Sequence, residues 1–264
     1  MTTDILFVHP NASKIIYQDL AKKNSAIEPP IWAGLLANSV RSKGFSPEIL
    51  DAEVMALSYA ECACKASEYR AKVVCFVVYG QQPSASSQNM EGAVETARRL
   101  KEISPETFIL FVGGHLAALP SETLQIENSI DAVCQNEGVY TIRALLELNK
   151  FDDNNLLQID GLCFRDKDGD IHTNKPSELV PRKNLDRDLP GIAWDLLPSL
   201  KEYRTAGWHS WSNDSEKQPF AALYTSLGCP YKCSFCMINI INREDNEEIG
   251  VANKYSKMRY WSPE

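Results

Sequence analysis

Short apolar runs alternate with amphipathic stretches over the first ~150 positions, the rhythm of an α/β domain built on a parallel sheet. Residues 4–8 (Asp-Ile-Leu-Phe-Val) predict a strand that breaks at His9-Pro10-Asn11. Pro29-Pro30 opens a helix through Trp32, Leu35, Leu36 and Val40, and Gly44 stops it. Residues 48–51 predict a second strand and residues 52–70 a helix. Val73–Val78 is apolar throughout, as a parallel strand covered on both faces must be. A loop over 80–87 leads into a helix ending at Ile103, and residues 108–112 form a fourth strand that stops at Gly113-Gly114-His115. A short helix after Pro120, a fifth strand over 130–134 and a helix over 140–148 complete the unit. The expectation for residues 1–150 is therefore a doubly wound, five-stranded parallel sheet. Such sheets bind ligands outside the carboxyl ends of their strands, where strand order reverses. That directs attention to the loops 9–13, 79–86, 113–116 and 136–138.

Beyond residue 150 the texture changes. Residues 161–165 and 170–173 flank Asp166-Lys167-Asp168-Gly169, a hairpin signal. Residues 174–217 are rich in proline, charge and tryptophan and read as an ordered linker held by Trp194, Leu196, Leu197, Trp208 and Trp211. Residues 151–218 are thus expected to be hairpin and linker. Residues 220–226 then predict a strand delivering the chain to Gly228, so that 219–264 begins a second unit.

The formal charge of −8 argues against a general nucleic-acid or anionic-membrane partner, whose recognition calls for a basic surface. No apolar run approaches the ~20 residues of a membrane helix, and Met1-Thr2-Thr3-Asp4 carries no cationic leader. A cytoplasmic protein is expected, in which most of the eight cysteines serve as small core residues rather than disulfides. Cys75, Cys134 and Cys163 lie in strand-like runs, and Cys62 and Cys64 in a helical pattern.

The other three stand apart. Gly228-Cys229-Pro230-Tyr231-Lys232-Cys233-Ser234-Phe235-Cys236 has the spacing C-x3-C-x2-C. Thiolates this close can face one centre, and thiolates hold iron–sulfur clusters. Three of them leave one position open, as an open catalytic zinc site does. A closed zinc site would need a fourth ligand, and the nearest candidate is His209.

A strand followed by Cys-x3-Cys-x-aromatic-Cys, with Thr225, Ser226 and Gly228 leading in and Phe235 at the aromatic position, resembles the signature loop of radical S-adenosylmethionine enzymes. The resemblance implies that Cys229, Cys233 and Cys236 bind a [4Fe–4S] cluster. Its fourth iron would chelate S-adenosylmethionine, which an electron cleaves to a 5′-deoxyadenosyl radical. Upstream, Glu28-Pro29-Pro30, residues 49–52, residues 112–115, Glu137-Gly138 and residues 194–198 resemble the cobalamin-dependent subclass of that family.

This second resemblance implies a flavodoxin-like cobalamin-binding domain, a linker and the start of a β/α partial barrel. It also implies methyl transfer through methylcobalamin to a small-molecule or natural-product substrate, with flavodoxin or ferredoxin as electron donor. Some members instead close, contract or oxidise rings. Candidate cofactor-binding residues are Tyr79, Ser84, Ser86, Gly113, Gly114, His115, Glu137, Gly138 and Phe235. Gly113-Gly114 would let a bulky ligand approach the backbone, although a tight turn needs such glycines too. Ser84 and Ser86 would offer hydroxyls to its tail, although helix capping uses serine equally. The Asp-x-His-x-x-Gly motif that supplies a lower histidine ligand in some cobalamin proteins is missing, with His9-Pro10-Asn11-Ala12-Ser13 in its place. A non-catalytic cobalamin module and a flavin mononucleotide domain are the alternatives. The chain closes at Ser262-Pro263-Glu264, far short of a ~250-residue barrel, so a fragment is expected.

Overall fold

The computed structural model describes residues 3–18, 25–80, 85–205, 219–231, 233, 236, 238, 241–242 and 258–263. In chain order the elements are β1 (Ile5–His9), α1 (Ser13–Tyr17), α2 (Ile31–Arg41), β2 (Pro47–Asp51), α3 (Tyr59–Glu68), β3 (Val73–Val78), α4 (Ala85–Ile103) and β4 (Phe108–Gly113). There follow α5 (Gly114–Ala118), α6 (Pro120–Ile126), β5 (Ala132–Cys134), α7 (Val139–Glu147), α8 (Asp153–Leu156), β6 (Leu162–Arg165), β7 (Ile171–Thr173), α9 (Leu185–Asp188), β8 (Ser226–Leu227) and β9 (Arg259–Tyr260).

The sheet order is β2-β1-β3-β4-β5-β6-β7. Its first five strands are parallel, and order reverses between β1 and β3. Alternate side chains of each strand feed two separate cores, as a sheet covered on both faces requires. Ile5, Phe7, Cys75, Val77, Leu110 and Val112 meet α2 and α7 through Leu35, Leu36, Ile142 and Leu145. Leu6, Val8, Val74, Phe76, Ile109 and Phe111 meet α3 and α4 through Cys62, Ala63, Ala93 and Ala97. Cys75, Cys134 and Cys163 are fully buried and Cys62 nearly so, while Cys64 is exposed.

The expected doubly wound α/β unit is present, with corrections. The sheet has seven strands rather than five, because the 161–173 hairpin docks antiparallel on β5 with Ala132 opposite Phe164. Leu162, Cys163 and Phe164 are too apolar for a free linker and bury completely. The helix expected over 52–70 begins only at Tyr59, where Ser58 and Glu61 form a reciprocal capping box; residues 52–56 are turns. Gly114, expected in a loop, starts α5. The strand expected over 220–226 shrinks to Ser226–Leu227, since Leu223 faces solvent and, among the described residues, only β9 pairs with this stretch. Trp194, Leu196 and Leu197 do pin the linker to the core. Trp208, His209 and Trp211 lie outside the described residues.

Candidate cofactor edge and cysteine loop

The carboxyl ends of β1, β3, β4 and β5 bring His9, Tyr79, Gly113 and the 136–138 turn to one edge of the sheet. Ser86, buried in the first turn of α4, donates its hydroxyl to the Val78 carbonyl and accepts the His115 N–H at 2.9 Å. It thereby staples the end of β3 to the start of α5. His115 Nδ1 lies 3.0 Å from Ser87 Oγ, and burial pulls the imidazole below its ordinary pKa. A Cβ on Gly113 would sit 2.1 Å from the Val78 carbonyl oxygen, so this glycine is demanded by the contact between β3 and β4 themselves. Gly114 is buried within α5. Gly138 caps α7 with φ +77°, in the left-handed region glycine favours. Tyr79 stacks on Trp32, ring centroids 4.8 Å apart, and Tyr224 closes on Trp32 at 6.4 Å. Ser84 and Phe235 lie outside the described residues.

On the β1–β2 side the edge carries a polar cluster that sequence reasoning missed. His9 Nδ1 is 2.9 Å from Asp51 Oδ1, and the buried Tyr203 hydroxyl donates to Asp51 Oδ2 at 2.8 Å. His9 Nε2 faces Glu53 at 4.0 Å. Burial alone would lower the His9 pKa, but the charge and hydrogen bond of Asp51 outweigh it and raise the value. Glu28 is pushed up to about 7 by burial and by Glu53, with His9 opposing. Backbone pairing of Ile27 with Arg204 brings the linker across this side. Arg204 Nε and Thr205 Oγ1 are buried there without a hydrogen-bond partner. The acidic pair Asp51 and Glu53 closing β2 was the available signal, invisible until Tyr203 and Arg204 fold back onto it.

Glu137 does not point at the open edge. Its Oε1 accepts from Val180 N at 2.6 Å and from Arg259 at 3.2 Å, and its Oε2 meets Arg259 at 2.8 Å. Both oxygens are taken by protein donors.

The three cysteines follow β8 on one loop, Cys229 and Cys236 half-buried and Cys233 exposed, with the Cys236 N–H donating to the Cys233 carbonyl at 3.1 Å. Among the described residues no three His, Cys, Asp or Glu side chains are gathered as a metal site. The donor chemistry fits an iron–sulfur cluster, three soft thiolates on a short loop with solvent access. Cobalamin fits the sheet edge by a separate observation. Arg204 Nε and Thr205 Oγ1 are orphan donors of the kind that a ligand fringed with amide carbonyls satisfies.

Residues 18–146 match the B12 binding domain family. The chain is 28% identical over 209 residues to "Uncharacterized methyltransferase PH0819" of Pyrococcus horikoshii, covering 79% of this chain and 40% of that protein. It is 23% identical over 235 residues to the anaerobic magnesium-protoporphyrin IX monomethyl ester cyclase of Cereibacter sphaeroides, covering 88% of this chain and 34% of the cyclase. Its fold superposes on OxsB, a cobalamin-dependent S-adenosylmethionine radical enzyme solved with aqua-cobalamin and S-adenosylmethionine bound. There the TM-score is 0.61 at 18% identity, covering 89% of this chain and 28% of OxsB. The chain thus spans 40% or less of the length of these proteins. The α/β unit with this edge is followed by the cysteine loop in one chain. Over residues 18–146 the chain matches the B12 binding domain family, and beyond it the chain is similar in sequence and fold to these methyltransferase, cyclase and radical enzymes.

Proposed function

We propose that the chain is the cobalamin-binding and cluster-bearing part of a radical S-adenosylmethionine methyltransferase. The observation carrying this reading is that a B12-type sheet edge and a C-x3-C-x2-C loop are joined in one folded body by the buried Glu137–Arg259 pair. Cys229, Cys233 and Cys236 would hold a [4Fe–4S] cluster with one iron left for S-adenosylmethionine, and Phe235 would lie beside it. Tyr79, Ser84, Ser86, Gly113, Gly114, His115 and Gly138 would form the cobalamin edge. When bound, these groups together supply radical generation and methyl transfer.

The chain's own residues set the conditions for that chemistry. Asp51 raises the His9 pKa and, with Glu53, turns the imidazole toward carboxylates, a placement suited to hydrogen bonding. Trp32, Tyr79 and Tyr224 form an aromatic cluster packed on the core beside the sheet edge. The remaining partners in this reading are a small-molecule substrate and a flavodoxin or ferredoxin donor in the cytoplasm. Among the described residues no helix is long and apolar enough to cross a membrane.

The test is anaerobic reconstitution with iron, sulfide and hydroxocobalamin, followed by S-adenosylmethionine labelled at its methyl group and a reductant. The reading expects 5′-deoxyadenosine and label in the corrinoid fraction, both abolished when the three loop cysteines become Ala. Radical cleavage with no labelled corrinoid would favour ring chemistry, as the cyclase relative suggests. Corrinoid binding without any cleavage would overturn the enzyme reading.

A further inference from the structure

Arg259 makes contacts on both sides of the cysteine loop. Its strand pairs with β8 so that Leu227 lies opposite Arg259, just before Gly228 and Cys229. One terminal nitrogen donates to Asn242 Oδ1 at 2.7 Å, on the segment that follows Cys236. The other donates to the Val180 carbonyl at 2.8 Å, on the linker. Both reach the Glu137 carboxylate, at the carboxyl end of β5. The ion pair is almost completely withdrawn from water, with side-chain exposures of 8% and 2%. Asn242, Glu137 and Arg259 are all buried.

We infer that Arg259 is a positioning residue that clamps the cysteine loop at both ends and, through Glu137, fixes its distance from the cobalamin edge. A planar guanidinium suits this role because its fork can address a carboxylate, a carbonyl and an amide oxygen in set directions, which a lysine ammonium cannot. Glu137 follows the same logic. Its two oxygens hold Arg259 from the β5 turn while Val180 N holds Glu137 from the linker, so the sheet edge, linker and loop share one hydrogen-bonded node. Further anchors keep β9 in place around it. The Trp261 indole donates to the Leu189 carbonyl at 2.7 Å, and the Ser262 N–H to Asp186 at 2.9 Å. Adjacent anchors of this kind let Arg259 be changed without detaching the segment. The inference rests on the cluster and cobalamin reading above.

The experiment compares Arg259→Lys, Arg259→Met and Glu137→Gln with the parent chain, each loaded with hydroxocobalamin and reconstituted anaerobically with iron and sulfide. Hydrogen–deuterium exchange is followed by peptide, and the electron paramagnetic resonance of the reduced cluster is recorded. Arg259→Met and Glu137→Gln are expected to retain corrinoid while peptides spanning 226–242 and 258–263 exchange roughly tenfold faster, as a local opening does. The cluster signal should change shape, and Arg259→Lys should lie between the extremes. Unchanged exchange and an unchanged signal in all three variants would overturn the inference. So would acceleration shared equally by peptides of β1–β4, which marks general loosening. A parent chain that takes up no iron would defeat the functional reading instead, while the exchange pattern of the apo-chains would still decide the clamp.

Discussion

Glu28 offers a quantitative test of the polar cluster at the sheet edge. Its carboxyl is half-buried, close to Glu53, and lifted from 4.5 to about 7. The folded chain therefore holds this proton more tightly than the unfolded chain, so stability falls as pH rises through that interval. At 1.36 kcal/mol per pKa unit the penalty above pH 7 would reach about 3 kcal/mol. Partial exposure to solvent reduces it to about 1–2 kcal/mol. Glu28→Gln keeps the shape and removes the charge. At pH 8 it should raise the melting temperature by about 2–6 °C for a chain of this size. At pH 5, where folded Glu28 keeps its proton, the gain should fall to a small fraction of that. The assay is thermal unfolding followed by tryptophan fluorescence at both pH values. A destabilised variant at pH 8, or equal gains at pH 5 and pH 8, would refute the placement of Glu28 beside Glu53.

Other outcomes follow from the same structure. Asp51→Asn removes the charge that raises the His9 pKa, so the His9 ring resonance should titrate at lower pH than in the parent, read by nuclear magnetic resonance. Gly113→Ala drives a Cβ into the Val78 carbonyl and should cost about 2–3 kcal/mol in a denaturant titration, with an unaltered midpoint counting against it. Asp188 is buried and held ionised, far below the usual carboxylate range, by hydrogen bonds from Arg187, Tyr140 and Arg143. Asp188→Ala should cost about 3–5 kcal/mol by stranding the buried Arg143, and adding Arg143→Met should recover part of that loss.

Much of this arrangement is legible in the chain itself, because apolar strands such as Val73–Val78 and loop cysteines at fixed spacing are local signals. The hairpin's place in the sheet was not, since Leu162–Arg165 looks the same whether it pairs with β5 or stands alone. Glu137 shows the limit more sharply. Its position after β5 suggests a ligand contact, but its partner Arg259 lies 122 residues away, and only the fold brings them together. The His9–Asp51–Tyr203 network depends likewise on contacts 42 and 152 residues apart. Gly113 was singled out for a ligand's approach, while the structure gives a nearer cause in the Val78 carbonyl.

The most direct measurement of the account is spin coupling between the two cofactors in the anaerobically reconstituted chain, with cobalamin in its paramagnetic Co(II) state and the cluster reduced. A corrinoid signal broadened or split by a nearby iron–sulfur spin, and restored to its isolated form when Cys229, Cys233 and Cys236 are replaced by Ala, is the predicted result. Two unperturbed signals, or a corrinoid spectrum indifferent to those replacements, would contradict it.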